Sequence, residues 1–265
     1  MAGTLDFSGP HAKLRWAEEN IQEFERATNA FFNRCVPEIF EDVDGDWKTI
    51  KVRVTEPVPD ILGRWAGYAL YDLRSCLEHL AIIAARQHGC PIADLQWVKF
   101  PFSKDESGLN KMLFTSVKGR SPALSSLFGD RFTKKIVELK PYPAGNDFLW
   151  RFSRLANHDR HVEVVPASNT QGVIQGMGNV TIRNATLSGA AFILGGFSNL
   201  HDGIPIAGPM SLSGEFKHEG QLKVAAQICF GEATEFSAEP VVPILRKSVQ
   251  MIRDIVQSVE AELNR

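Results

Sequence analysis

Cysteine is scarce in this 265-residue chain, four in all, and no two of them stand in a C-x-x-C pair. Cys35, Cys76, Cys90 and Cys229 follow no regular spacing, which argues against a disulfide framework and against a cysteine-ligated zinc site. Charge of one sign is also lacking. The 29 basic and 31 acidic residues leave a net −2, so no global field draws the protein to nucleic acid or to an anionic membrane. The longest apolar-plus-glycine run, Ala190 to Phe197, falls far short of the roughly 20 residues of a membrane span. Residues 1–10 lack the basic-then-apolar order of a secretory peptide. There is no Gly-x-Ser-x-Gly elbow. The glycine-rich stretches Gly172–Gly178 and His201-Asp202-Gly203 lack the strand-to-helix setting of a phosphate loop and read as hairpin turns. These absences predict a soluble, cytoplasmic protein with reduced thiols and no membrane contact.

What is present is the balance of a chain that buries a core: 44% hydrophobic and 23% charged residues. Leu14, Ala17, Ile21, Phe24, Phe31 and Cys35 recur at helical steps and predict an amphipathic helix over residues 11–35. Asp42, Asp44, Gly45 and Asp46 read as a turn rather than a calcium loop, because the glycine comes one place early and the closing glutamate is missing. The alternation of Ile50, Val52 and Val54 predicts a short strand near 47–55, closed by Pro57 and Pro59. A long helix follows over 60–88, with Asp60 as its expected N-cap and Gly89 as its stop. Ile61, Trp65, Tyr68, Ala69, Leu73, Cys76, Leu80 and Ile83 make its apolar side.

Phe100-Pro101-Phe102 and Pro141-Tyr142-Pro143 mark loops, and Asn146 or Asp147 caps a further helix over 146–161. Beyond it, the short β-prone runs Val162–Val165, Gly172–Gln175, Val180–Arg183, Ala190–Leu194 and Leu222–Phe230 are separated by Gly, Asn, Ser and Pro, which suggests antiparallel strands over 162–240. Leu245, Val249, Ile252, Val256, Val259 and Leu263 then return to a helical rhythm. The expected organisation is α+β, with an antiparallel β-rich segment inserted before the C-terminal helix. Residues 1–161 form the helical module, 162–240 the β-rich segment, and 241–265 a helix packing back on the first.

Chemistry-bearing residues concentrate in Tyr71-Asp72-Leu73-Arg74-Ser75-Cys76-Leu77-Glu78-His79 and in Asn157-His158-Asp159-Arg160-His161. Buried polar groups cost roughly 1–3 kcal/mol each unless paired, so two such clusters on neighbouring helices have reason to satisfy one another. Tyr68, Asp72, Cys76 and His79 share a helical stripe, whereas Arg74 and His79 stand about 140° apart round the axis. Arg151, Arg154, His158 and His161 form a basic stripe, with Asp147 four residues before Arg151. Lys118, Arg120, Arg131, Lys134 and Lys135 around Phe114 and Phe128 read as a solvated basic face, or else a hold for RNA phosphates.

Arg74 to His79 matches the R-x4-H pattern and resembles the HEPN superfamily, helical proteins found among RNA-cleaving toxins and defence factors. The fuller pattern, L-R-S-x-L-[DE]-H-L-A with a distant N-x-D-[KR]-H, is similar to a group of uncharacterised bacterial proteins with no established activity. The resemblance covers about residues 60–88 and 139–165. It implies a metal-independent endoribonuclease without cofactor, acting on RNA at the interface of a homodimer. His79 would then be the general acid–base and Arg74 the stabiliser of the phosphate oxyanion, with Asp72, Glu78, Asn157, Asp159 and His161 in support. Ser75 departs from the Asn, Asp or His common at that place in the family. Two other readings use the same residues. In one, Arg74 pairs with Glu78 and the protein is a non-catalytic interaction or scaffold protein. In the other, His158 and His161 converge on zinc or iron, completed by His79 or Asp72 from a facing helix.

Overall fold

The computed structural model describes residues 5–36, 38–116, 122–161, 169–176, 179–183, 198–199, 202–219, 223–231 and 234–265. Two long helices form its centre. Helix α1 (Ser8–Arg34) buries Leu14, Ala17, Ile21, Phe24 and Phe31 along one stripe. Helix α2 (Asp60–Gln87) is buried along most of its length, from Leu62 to Ala85. Gly9 of α1 lies by His79 and Lys13 by Asp72, so the two run antiparallel. Helix α2 ends where expected: His88 is the C-cap, and Gly89 follows at φ 80°. Its start differs. Asp60 is the first helical residue, and the N-cap is Pro59, with no side-chain cap bond.

A 3-10 turn (Ile92–Trp97) leads to α3 (Glu106–Phe114), which Asp105 caps by accepting from the Gly108 N–H at 2.7 Å. Helix α4 (Leu124–Leu139) bends at Gly129, whose φ of 72° suits glycine. A Cβ there would lie 2.6 Å from the His88 ring. Helix α5 (Asp147–His161) starts from Asn146, whose side chain accepts from the Leu149 N–H at 3.0 Å. Helix α6 (Val241–Leu263) comes back to pack on α2, α1 and α4. Its return is fastened by His11–Glu260 at 3.0 Å, Arg246–Glu25 at 2.6 Å and Gln87 donating to the Leu263 carbonyl at 2.8 Å. Phe24, Phe31, Phe132, Phe152, Phe230 and Phe236 are fully buried. Each such side chain contributes about 1.5–3 kcal/mol of burial.

Among the described residues the strands are antiparallel and fall in three small sheets. In the first, β1 (Glu38–Asp44) and β2 (Trp47–Arg53) form a hairpin with Asp44 opposite Trp47. The acidic residues expected to be only a turn therefore belong largely to a strand, and Gly45-Asp46 alone make the turn. The alternation Ile50, Val52 of β2 faces the core as expected. Strands β3 (Asn169–Gly176), β4 (Asn179–Arg183), β5 (Ser198–Asn199), β6 (Ile204–Ser211), β7 (Glu215–Glu219) and β8 (Lys223–Cys229) follow α5. Strand β6 leaves them to pair with β2, so the first sheet joins the helical part to the β-rich part. Strands β5, β3 and β8 form the second sheet, and β4 and β7 the third. The architecture is α+β and mostly helical. Gly172–Gly176 lie inside β3, paired with β8, as the β-prone run Gly172–Gln175 predicts, and do not form the hairpin turn that the glycines suggest. The runs at 162–165 and 190–194 and His201 lie outside the described residues.

Candidate functional site

Helix α2 carries the first motif, and its side chains leave in three directions. Arg74 turns towards α5 and the loop after the 3-10 turn. Its Nη2 lies 2.8 Å from Glu78 Oε1, one turn on, and its Nη1 donates to Ser153 Oγ of α5 at 3.3 Å. The guanidinium stacks over Phe102, 4.2 Å from the ring centroid. The other oxygen of Glu78 accepts the backbone N–H of Phe100 at 2.8 Å. The Arg74 and Glu78 side chains are only 13% and 27% exposed. Arginine suits this place because a planar fork can bond a carboxylate in its plane and stack on a ring with its face.

Asp72 turns the other way, beneath α1. Lys13 donates to its Oδ1 at 2.7 Å and Asn20 to its Oδ2 at 3.1 Å, so this buried carboxylate is matched on both oxygens. Cys76, on the same stripe, is buried and donates to the Pro10 carbonyl at 3.5 Å. Burial pushes its thiol up to about 12.

His79 reaches solvent one turn beyond, against the start of α1. A Cβ on Gly9 would lie 2.8 Å from its Nδ1, so a larger residue there would force the ring to shift. Partial burial first, and the Lys13 ammonium second, hold its pKa below the ordinary histidine value. Among the described residues Arg74 and His79 share no partner. The structure joins Arg74 to Glu78 and Ser153, and it places His79 beside Gly9 and Lys13.

On α5, Arg151 and Arg154 do not continue as a free basic stripe. Arg151 donates twice to the Glu235 carbonyl, at 3.0 and 2.6 Å, and pairs with Glu239 at 2.5 Å. Its guanidinium lies 4.1 Å from the Phe236 ring centroid. Arg154 pairs with the Glu235 carboxylate at 3.1 Å. The expected Asp147–Arg151 pair gives way to this clamp on the lead-in to α6. Asn157 is exposed. The backbone of His158, Asp159 and His161 closes α5, but their side chains lie outside the described residues. Among the described residues no group of three or more His, Cys, Asp or Glu side chains is gathered round a metal position.

The largest departure from the sequence reading is on α2. Ile61 and Tyr68, assigned to its core side, are 38% and 46% exposed, and Tyr71 is 51% exposed. Trp16 of α1 stands with them at 45%. Two cations lie among these rings. Lys13 Nζ is 4.7 Å from the Trp16 centroid and 5.2 Å from that of Tyr71. Arg64 is 5.1 Å from Trp65 and 5.2 Å from Tyr68. The signal in the sequence was an apolar arc on α2 wider than one packed face needs. Compared with models of protein families, with curated proteins and with solved structures, the chain matches none.

Proposed function

We propose that this chain is a non-catalytic interaction protein, in which the R-x4-H motif is an architectural brace. The observation that carries this reading is the engagement of Arg74. Its guanidinium is mostly buried and engages Glu78, Ser153 and Phe102, and the residue that would serve as acid–base lies five positions on, facing Gly9 and Lys13. A phosphate-cleaving pair must address one phosphate together. Here the arginine ties α2 to α5 and to the Phe100–Phe102 loop. A guanidinium already neutralised by a carboxylate at 2.8 Å holds a phosphate oxyanion less well than a free one.

The test is cleavage of labelled single-stranded RNA in EDTA by the full chain and by His79→Ala. The expected result is no cleavage above that of the variant. Cleavage by the wild type that His79→Ala abolishes, with the circular dichroism unchanged, would return the pair to catalysis.

A further inference from the structure

We infer that the groove between α6 and the junction of α4 with α5 binds a linear zwitterion with an apolar middle, the chemistry that a short peptide with both termini free presents. The groove holds about 430 Å³, within the range of small-molecule sites. Leu139 of α4 and Met251 and Ile255 of α6 line it with apolar surface that is continuous with the core. Lys247, Asp254 and Asn146 line it as well.

The two charges differ from the rest on α6. Arg246 meets Glu25, Arg253 meets Glu18, Glu260 meets His11 and Glu262 meets Arg265. Among the described residues Lys247 and Asp254 meet no opposite charge, and both face this groove. Nor do they meet each other. Seven positions apart, they share one side of the helix within about 20° and stand about 10 Å apart along its axis. Both are nonetheless held in place. The Lys247 ammonium lies over the Phe148 ring, 4.2 Å from its centroid. Gln250 donates to Asp254 Oδ1 at 2.7 Å and accepts from Arg253 Nη1 at 3.2 Å. A charge oriented by neighbours that do not neutralise it loses little freedom when an opposite charge arrives.

Along α6 the groove therefore offers a cationic end, an apolar middle and an anionic end. An anion alone is drawn by Lys247 and repelled by Asp254, and a cation alone meets the reverse. A molecule carrying both charges is drawn at each end. Three residues of extended chain span about 10 Å, which matches the separation along the helix. The carboxylate of such a peptide lies at Lys247, its ammonium at Asp254 and an apolar central side chain on Leu139, Met251 and Ile255. Met251 supplies an adaptable surface for that side chain. Asn146 uses its Oδ1 to accept the Leu149 N–H, which leaves its amide nitrogen to donate to a peptide carbonyl. Lys247 and Asp254 are exposed, so each ion pair is modest and dissociation falls at about 0.1–1 mM.

The experiment is saturation-transfer difference NMR on the full chain, titrated with the tripeptide Ala-Leu-Ala and with 8-aminooctanoate. Transfer to the tripeptide should be strongest at its leucine methyls. Acetylating its N-terminus or amidating its C-terminus should each weaken binding about threefold or more. Asp254→Asn should weaken the free tripeptide by the same factor and leave the acetylated form unchanged, and Lys247→Gln should do likewise for the amidated form. Binding of both zwitterions, or of either one alone with this dependence on the two side chains, supports the site and tells a peptide from an ω-amino acid. The proposal is overturned if neither zwitterion binds, if octanoate binds as tightly as 8-aminooctanoate, or if the two variants bind as the wild type does. The comparison of free and blocked peptides on the wild type is readable even if a variant misfolds; equal binding of all three forms also overturns it. Neither substitution touches Arg74 or His79, so this site stands or falls separately from the brace.

Discussion

Removing the Arg74 side chain is the sharpest probe of the brace. Arg74→Ala cuts the ion pair to Glu78, the hydrogen bond to Ser153 and the stack on Phe102. Breaking a fully buried pair costs about 3–5 kcal/mol. Glu78 retains the Phe100 N–H and some solvent, which lowers this part to about 2 kcal/mol. The lost Ser153 bond and the cation–π contact add about 1 kcal/mol together. The total of about 3 kcal/mol corresponds to a fall in Tm of about 6 to 10 °C for a chain of this size. Thermal and urea melts of Arg74→Ala, Glu78→Gln and the double variant, followed by circular dichroism, would measure it. The two single effects should be non-additive by at least about 1 kcal/mol, since they share one interaction. A Tm of Arg74→Ala within 1 °C of wild type, or strict additivity, would refute the reasoning.

Two further outcomes follow from the titrating groups. Because the folded pKa of His79 lies below its ordinary 6.5, the unfolded chain binds this proton more readily. Stability should therefore rise with pH between the folded pKa and about 6.5 and be lost as pH falls through that window; His79→Gln should flatten this part of a stability–pH profile. Burial pushes the thiols of Cys76 and Cys229 up to about 12 and about 11. At pH 8 they should stay unreactive towards an aromatic disulfide reagent until the chain unfolds, while the half-exposed Cys90 reacts in the native state. Native modification of Cys76 would contradict its position against Pro10.

The helices were legible because each carries its own periodicity. Leu14 to Phe31 on α1 and Leu245 to Leu263 on α6 mark buried faces whatever their partners. Strand β1 was not legible, for a physical reason. It is an edge strand, almost wholly exposed, and Glu38, Glu41, Asp42 and Asp44 give it acid rather than an apolar alternation. Its neighbour β2 was found because Ile50 and Val52 face the core. The β2–β6 pairing had no local trace, since register between distant segments is set by the whole sheet. At the site, the i, i+4 relation of Arg74 and Glu78 was readable from spacing. The partners that decide its role, Ser153 and Phe102, come from other elements. Periodicity also could not say which part of a wide apolar arc remains in solvent, so Ile61 and Tyr68 were assigned to the core.

The sheet that joins the two parts bears on the order in which the chain is made. The β1–β2 hairpin ends at Arg53, and the strand that completes it begins at Ile204. About 150 residues must leave the ribosome before that third partner exists, and α6, which closes α1 and α2, emerges later still. Until then the nascent chain presents an unfinished sheet edge and the bare inner flank of its first helix, surfaces that chaperones hold and that other nascent chains adhere to.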